Sequence, residues 1–389
     1  MRIAAIYPYD PTTPARIRSL DTLLTLKQAG QVTVFAPDLD PDALHRLELL
    51  GLAVHTRKDS ALKRAMRVAF AMLRGRSITY AFYATVAPGE TELGNFDLLY
   101  VERLTPPWRK TEAAVVYDVV DDFQRQVQQL SRTAAAPRRY GYLYDRLVIH
   151  RDILQACARA DLVLCTTPAE ARSIAAIGIA SSKLLPYLHQ SQVRVPALLP
   201  TETPQRRRTR RGVFHGRASY PANQAAVQVI ESNLGPALEG WEFLVFGEGW
   251  KPSQGESIEV RGFQQDLRLL RSADAGIFPI EASVGVQNKV LECLAAGLPV
   301  VVTPGIAAGL PPPVVEALRE RILVREVGDF AEALRNDGSK LSLSEAAERR
   351  FAQAYQKIIE QHRQQFTQRL QALGSGRDSA CAAGAPSPS

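Results

Sequence analysis

A lysine and a glutamate three residues apart follow a run of small residues in the second half of the chain. The segment ASVGVQNKVLECL places Lys289 and Glu292 on one side of a helix that we predict over residues 286–297. A lysine there can offset the charge of a diphosphate, and a glutamate can accept two hydrogen bonds from a ribose diol. The free backbone N–H groups at the start of this helix suit a phosphate. The same spacing also fits a surface ion pair.

A second group of polar residues follows the predicted strands of the first half. Asp118 and Asp121 close the segment AVVYDVVD, where a carboxylate can bind sugar hydroxyls or take a proton from an attacking hydroxyl. Arg103 follows the strand LLYVE, and Arg16 and Arg18 lie where the first turn passes into a long helix. The alternative for Asp121 is to cap the N-terminus of the following segment.

All of these residues lie near strand ends in a chain that alternates β and α segments in two successive series. The first series runs from the strand at Arg2 to the strand at 183–186, and the second starts at residue 212. Such alternation predicts a parallel sheet covered by helices on both faces. The predicted fold class is therefore α/β, with two Rossmann-like, doubly wound domains whose strand ends face a cleft.

A proline-rich, basic segment separates the two halves. Residues 191–211 show no period of 2 or 3.6, so we predict a linker there. It joins an N-terminal domain over 1–190 to a C-terminal domain over 212–341. A polar helix is predicted over 342–373, and the low-complexity tail 374–389 is expected to be disordered.

The net charge of +7 comes from two local blocks. Residues 57–76 hold seven basic side chains and one acid, and residues 206–211 hold five basic side chains, which leaves 35 basic and 39 acidic residues elsewhere. This local charge, with an aromatic content of 7%, argues against nucleic-acid binding. The basic helix near 61–74 fits contact with an anionic membrane, or a solvated helix packed on the sheet through its apolar side.

Other features exclude several classes of protein. Prolines interrupt the longest uncharged stretch, from Cys293 to Val315, and the apolar run before Pro8 is too short for a secretory leader. We therefore expect a cytoplasmic protein, and the inner membrane is the membrane whose surface it could contact. The four cysteines and six histidines lack metal-ligand spacing, so reduced thiols and no metal or cofactor are predicted. No glycine follows the first strand, which argues against a dinucleotide-binding oxidoreductase.

Two adjacent segments carry a resemblance to a known family. VRGFQQDLRLLRSADAGIFPI and GVQNKVLECLAAGLPVVVTP resemble the donor-binding half of retaining GT-B-fold glycosyltransferases, the family called glycosyl transferases group 1. The similarity extends to about residue 370, with its specific motifs in 212–305. The second segment, with YPYDPTTPARIRSL and DVVDDF, is similar to a bacterial subgroup associated with exopolysaccharide and surface-sugar assembly.

The resemblance implies transfer of a hexose from a nucleotide diphosphate sugar to a glycan or polyprenyl-linked acceptor, with retained stereochemistry and no metal. It implies that Glu292 binds the ribose, that Arg217 holds the diphosphate and that Phe263 lies where the base is held, although Phe263 fits the core equally well. The implied catalytic residues are Asp121, Arg217 and Lys289; the donor-binding residues are Gly216, Gly262, Phe263, Ser283, Gly285, Val286 and Glu292; and the acceptor-side residues are Arg16, Arg18, Arg103 and Asp118.

The sequence departs from the family pattern at one position. The family carries two glutamates separated by seven residues, and the first would fall at Val284, which cannot accept a hydrogen bond. Glu281 lies three residues earlier. The alternative function is therefore a catalytically silent GT-B scaffold that binds a nucleotide sugar or a protein partner.

Overall fold

The computed structural model divides the chain into two compact units, described separately below. The first unit comprises Met1–Ser191 and Ile359–Ser389, and the second comprises Gln192–Ile358. The structure describes residues 1–6, 15–37, 39, 41–57, 60–78, 94–102, 111–119, 127–128, 131–132, 136, 138–188, 193, 209–264, 267–281, 286–337 and 341–382, without the side chains of 15–18, 37, 57, 64, 138 and 376–382.

A parallel sheet of seven strands forms the centre of the first unit. In space the order is β3-β2-β1-β4-β5-β6-β7, and it reverses between β1 and β4. The strands β4 and β5 are buried along their whole length, as strands covered on both faces must be. The strands are β1 (Arg2–Ile6), β2 (Gln31–Pro37), β3 (Ala53–Arg57), β4 (Leu98–Glu102), β5 (Ala114–Val119), β6 (Leu162–Cys165) and β7 (Leu184–Pro186).

Helices cover both faces of this sheet. Alternate residues of β1 belong to two different apolar cores, because successive side chains of a strand point to opposite faces. Leu23 and Leu47, from the first two helices, pack in one core, and Ile149 and Ile174, from the fourth and fifth, pack in the other. The helices are α1 (Ala15–Ala29), α2 (Pro41–Leu49), α3 (Ala61–Leu73), α4 (Arg138–Arg159) and α5 (Pro168–Ala176).

The second unit repeats this architecture. Its spatial order is β10-β11-β9-β8-β12-β13-β14, with every pair parallel except β10 and β11, and the order reverses between β8 and β12. In open α/β sheets, ligands bind beyond the carboxyl ends of the strands at such a reversal. The strands are β8 (Arg210–His215), β9 (Trp241–Phe246), β10 (Ser253–Gln254), β11 (Ile258–Val260), β12 (Ala275–Phe278), β13 (Val300–Val302) and β14 (Ile322–Val324).

The α-helices of at least six residues that lie wholly in the second unit are α6 (Pro221–Val229), α7 (Asn288–Ala295), α8 (Pro312–Ala317) and α9 (Phe330–Asp337), and two shorter ones are Gly235–Ala237 and Pro304–Ala307. Two segments of this unit differ from the sequence pattern, which predicts helices over 223–238 and 266–274. The helix predicted over 223–238 changes to a π-helical turn at Ile230–Leu234, because Pro236 cannot donate the bond that a continuous α-helix needs. The helix predicted over 266–274 is a 3-10 helix, Leu267–Ser272, too short for cooperative α-helix formation.

One long helix, α10 (Glu345–Ala382), begins in the second unit and ends in the first. Phe366 and Leu370 complete an apolar core of the first unit, and the ring of Phe366 lies 4.9 Å from that of Tyr187. The Nδ1 atom of His362 accepts the N–H of Leu188 at 3.0 Å, and burial lowers the pKa of His362 to about 4. A neutral imidazole therefore fixes the helix to the end of the first sheet.

The helix also extends beyond its predicted end at residue 373. Residues 374–382, which we expected to be disordered, continue α10, whereas 383–389 lie outside the described residues. Extending an existing helix costs far less than starting one, so Gly374 and Gly376 do not terminate it.

The predicted fold class is confirmed, because both units are doubly wound α/β layers of mainly parallel strands. The three cysteines whose side chains are described, Cys157, Cys165 and Cys293, are buried and are not joined by disulfide bonds.

Candidate functional site

The loops that follow β8, β9 and β11 meet at the carboxyl edge of the second sheet. Gly216 donates its N–H to the carbonyl of Phe246 at 3.1 Å, and Gly247 donates its N–H to the carbonyl of Gly262 at 2.8 Å. The indole Nε1 of Trp250 donates to the carbonyl of Gly216 at 2.7 Å. These bonds join the loops after β8, β9 and β11, which are distant in sequence. The joined loops, together with the first turns of α6 and α7 that contact them, are called the rim below.

The closest backbone approach in this rim requires glycine at position 247. Gly247 has a φ of +145°, and a Cβ atom there would lie 2.1 Å from the carbonyl oxygen of Gly216. No side chain fits into that space, because the atom it would meet is backbone. Gly216 itself faces the Asn223 side chain, which would lie 2.7 Å from an added Cβ atom. Gly216, which the sequence analysis predicted, is thus positioned by Gly247 and Asn223, which it did not predict.

Asn223, in the first turn of α6, connects the β8 loop to α7. Its Nδ2 donates to the carbonyl of Arg217 at 2.8 Å, and its Oδ1 accepts a hydrogen bond from the Nζ of Lys289. The Asn223 side chain is buried, so its two bonds fix both partners. The sequence gives one indication of this role: Asn223 lies in the first turn of the helix that comes after Gly216 at the end of β8.

Lys289 lies in this rim as a half-buried cation whose described partners carry no charge. Its ammonium bonds to Asn223 and lies 5.2 Å from the centre of the Phe214 ring. Burial lowers the pKa of Lys289 to about 7. A buried amine with neutral partners is a fixed site for an anion, because an anionic ligand would stabilise its charged form.

Glu292 lies one turn further along α7 and is buried. Its Oε2 is 3.7 Å from the Nδ1 of His215, and both side chains are about 94% covered. The Nε2 of His215 lies 3.1 Å from the carbonyl oxygen of Lys289, a position that requires an N–H there, and the ring stacks on Phe246. Lys289 and Glu292 therefore do not form a surface ion pair, and that interpretation of their spacing is wrong.

The remaining predicted donor residues occupy the rim or flank it. Arg217 pairs with Glu248 at 2.9 Å at the solvent-facing side. Phe263 is 64% exposed, so its assignment to the core is wrong, and Gly262 before it has a φ of +69° that favours glycine. Val286 is half-buried two residues before α7, whose first residue is Asn288 rather than 286. Ser283, Val284 and Gly285 lie outside the described residues.

The predicted acceptor-side residues are described only in part. Asp118, the penultimate residue of β5, has no exposed surface, and its Oδ2 accepts the hydroxyl of Tyr100 at 2.8 Å. Asp118 therefore does not line an open acceptor site in this structure, because the bond to Tyr100 holds its carboxylate inside the sheet layer. Arg16 and Arg18 belong to the first turn of α1, with side chains outside the description, and Arg103 and Asp121 lie outside the described residues altogether.

The rim belongs to the part of the chain that matches a known family. Residues 209–336 match the family described as glycosyl transferases group 1. The matched segment contains β8 to β14 and every described residue of the rim. No curated protein matches the chain at a significant level of sequence similarity.

Several solved structures share the fold of the whole chain. They include Anabaena Alr3699/HepE in complex with UDP-glucose (TM-score 0.58, 14% identity, 96% of this chain and 100% of that chain). The lipopolysaccharide outer core galactosyltransferase WaaB gives a TM-score of 0.53 at 12% identity, over 96% and 99% of the two chains. An E. coli chain described as trehalose-6-phosphate bound with UDP-2-fluoro glucose gives 0.54 at 10% identity, over 95% and 99%. These matches establish the GT-B fold.

Two general features of the described residues bear on metals and membranes. No group of three or more histidine, cysteine or acidic side chains within the described ranges could hold a metal ion, and the expectation of metal-independent chemistry stays a prediction. None of the helices in the part of the chain that the structure describes has the length and apolar character to cross a membrane.

Proposed function

We propose that the protein is a glycosyltransferase that moves a hexose from a nucleotide diphosphate sugar to a glycan or lipid-linked acceptor. The observation that carries this proposal is the half-buried amine of Lys289, held by neutral groups at the carboxyl edge of the second sheet. The match to glycosyl transferases group 1 over 209–336 supports it. So do the solved relatives with UDP-glucose or UDP-2-fluoro glucose.

In the proposed reaction the leaving nucleoside diphosphate gains negative charge as the bond to the sugar breaks. A fixed cation at Lys289 stabilises that charge in the transition state, and its partly water-excluded position strengthens the effect. Arg217 supplies a second cation by exchanging its bond to Glu248 for one to the phosphate. With two cations on the diphosphate, the proposed mechanism needs no divalent metal and no other cofactor.

The nucleoside is proposed to lie between Glu292 and Phe263. The Glu292 carboxylate, oriented by His215, accepts the two hydroxyls of the ribose. The exposed ring of Phe263 offers a flat apolar surface to the base. Retention of stereochemistry at the transferred sugar is part of the proposal.

The proposed physiological role is assembly of a cell-surface polysaccharide on the cytoplasmic side of the membrane. The fold shared with a lipopolysaccharide outer core galactosyltransferase supports this role. A polyprenyl-linked acceptor would bring the enzyme to the inner membrane, where nucleotide sugars are available.

Titration with UDP, GDP, ADP and dTDP, followed by a transfer and hydrolysis screen with the corresponding sugars, tests the proposed function. We expect one nucleotide to bind and its sugar donor to be hydrolysed slowly or transferred. Binding with no turnover over a panel of acceptors would instead support the silent scaffold, for which Val284 is the sequence argument. No binding of any of the four nucleotides would contradict both.

Glu292→Gln is expected to weaken binding of the nucleotide about 30-fold, because bonds to a charged acceptor contribute about 2 kcal/mol. The same substitution should change the affinity for the 2′,3′-dideoxy nucleotide by less than about twofold, because that ligand lacks the hydroxyls that Glu292 would accept. Calorimetric titration of both ligands measures the difference.

Glu326→Gln is the matched control, because Glu326 is an exposed glutamate of the same unit. It should leave both affinities unchanged. An equal loss for the two ligands in Glu292→Gln would remove the ribose from the proposal and assign Glu292 to folding of the site.

A further inference from the structure

The apolar stripe of α3 faces solvent. Leu62, Met66, Phe70 and Leu73 recur at helical spacing and are 70%, 64%, 55% and 86% exposed. The sequence alternative, a helix packed on the sheet through this stripe, is therefore wrong. Ala71 is the buried residue of this helix among those with described side chains.

A second exposed apolar stripe on α4 joins the first. Tyr140, Leu143 and Leu147 are 69%, 39% and 81% exposed and also recur at helical spacing. The hydroxyl of Tyr144 donates to the carbonyl of Met72 at 3.1 Å, and Arg151 donates to the carbonyl of Gly75. Because residues 144, 147 and 151 share one side of α4, Leu147 lies beside the C-terminal end of α3. The seven exposed residues of the two stripes are called the apolar face below.

The exposed charges described on α3 and α4 have one sign. The helix α3 contains no acidic residue, and the two acids of α4, Asp145 and Asp152, are buried. Asp145 accepts the N–H of Ile78 at 2.5 Å, and Asp152 accepts the N–H of Ser77 and a bond from Arg76, both at 2.8 Å. The exposed charged side chains described on the two helices and at the C-cap of α3 are cations: Lys63, Arg74, Arg139, Arg146, Arg151 and Arg159.

The arrangement of these groups selects an occupant. Exposed leucine, phenylalanine and tyrosine side chains next to cations match the boundary between headgroups and acyl chains of an anionic leaflet. The guanidinium of Arg74 lies 4.1 Å from the centre of the Phe70 ring, so the cation and the apolar group occupy the same part of the surface. The described cations of the two helices are complementary to phosphate groups.

We propose that the apolar face docks on the surface of an anionic bilayer, with Leu73 and Leu147 inserted below the phosphates. This inference extends the proposed function, since a lipid-linked acceptor would be reached at that surface, but its test does not depend on sugar transfer. It adds α4 to the segment 57–76 that the sequence indicated, because only the fold brings the stripe of α4 next to α3.

Sedimentation with vesicles of phosphatidylcholine, with and without 30 mol% phosphatidylglycerol, tests the proposal on the full chain. We expect binding to the mixed vesicles and little binding to pure phosphatidylcholine. Leu73→Ser with Leu147→Ser should lower the partition coefficient at least about tenfold, because inserted leucines gain from burial. Lys63→Gln with Arg139→Gln and Arg146→Gln should lower it about fivefold for each cation removed.

The chain provides matched controls for both sets. Leu49→Ser removes an exposed leucine from α2, on the opposite face of the sheet, and Arg319→Gln removes an exposed cation from the second unit. Both controls should sediment with vesicles like the wild type. Nucleotide titration of the same samples should give wild-type affinity throughout, so loss of membrane binding and loss of the donor site are measured separately.

Absence of wild-type binding to the anionic vesicles would overturn the proposal. An equal loss of vesicle binding in the variants of the apolar face and in the two controls would overturn it as well. Light scattering gives a third outcome: self-association that the two serine substitutions abolish, without vesicle binding, would make the face an interface between copies of the chain.

Discussion

Lys289→Met is expected to lower the affinity for the nucleoside diphosphate about a hundredfold and leave the free energy of unfolding within about 1 kcal/mol of the wild type. The loss corresponds to about 2–3 kcal/mol, as expected when a partly buried charge pair loses one partner. Stability is preserved because methionine fills the same space over the Phe214 ring, and the cost of burying an amine disappears. Calorimetric titration and denaturant unfolding of the same sample measure the two quantities.

The same lysine predicts how donor affinity changes with pH. In the free protein the pKa of Lys289 is about 7, because burial disfavours its charged form. A bound diphosphate favours the charged form and raises that pKa, so binding takes up a proton above pH 7. The affinity should therefore be constant below about pH 7 and fall with rising pH above it, by up to about tenfold per unit. Lys289→Met should show no such fall.

Lys251→Met is the control for this prediction, since Lys251 is an exposed lysine of the same unit. Its affinity and pH profile should match those of the wild type. If Lys289→Met binds the nucleotide normally, the cation is not part of the donor site, and the function proposed above loses its main support.

Gly247→Ala is expected to destabilise the second unit by about 3 kcal/mol, which lowers its melting temperature by about 10 °C. The added Cβ atom would lie 2.1 Å from the Gly216 carbonyl oxygen, so the loops after β8 and β9 would have to separate. Separation breaks the bond from Gly216 to Phe246 and displaces Arg217, whose carbonyl holds the Asn223 amide. Because Asn223 also holds Lys289, we expect nucleotide binding to weaken together with stability.

Gly328→Ala is the matched substitution, because a Cβ atom at Gly328 would meet nothing within 4 Å. Its melting temperature should stay within about 2 °C of the wild type, because surface substitutions of this kind change stability by less than about 0.5 kcal/mol. Thermal unfolding and nucleotide titration of the two alanine variants distinguish two causes of a loss. A loss in Gly247→Ala alone comes from the contact with the Gly216 carbonyl, whereas a loss in both variants comes from replacing glycine as such. A normal melting temperature for Gly247→Ala would show that the two loops are not in contact.

The sequence was sufficient to predict the fold and the edge of the sheet where the site lies. The segments LLYVE and AVVYDVV are apolar apart from Glu102 and Asp118 and do not alternate with polar residues, which favours a strand covered on both faces and so a parallel sheet. Once the alternation of strands and helices is known, the residues after each strand must gather at one edge. Lys289, Gly216 and Arg217 follow from that rule and lie in the rim.

The partners of those residues were not predictable, because they depend on how closely distant segments approach. Asn223 and Lys289 are 66 positions apart, and no local pattern distinguishes that asparagine from one that faces solvent. The pairing of His215 with Glu292 likewise depends on the distance between a strand end and a helix. Periodicity predicted the apolar stripe of α3 correctly, but a period does not show whether a stripe faces protein or solvent.

The path of α10 has a consequence for how a newly made chain reaches its final form. Phe366 and Leu370 fill a core that otherwise belongs to residues before 191, so that core stays incomplete while the ribosome is still translating the middle of the message. The second unit needs α10 only up to residue 358, so it can finish folding first. The half of the protein that is synthesised first would then be the last to close, with its apolar surface open to chaperones in the interval.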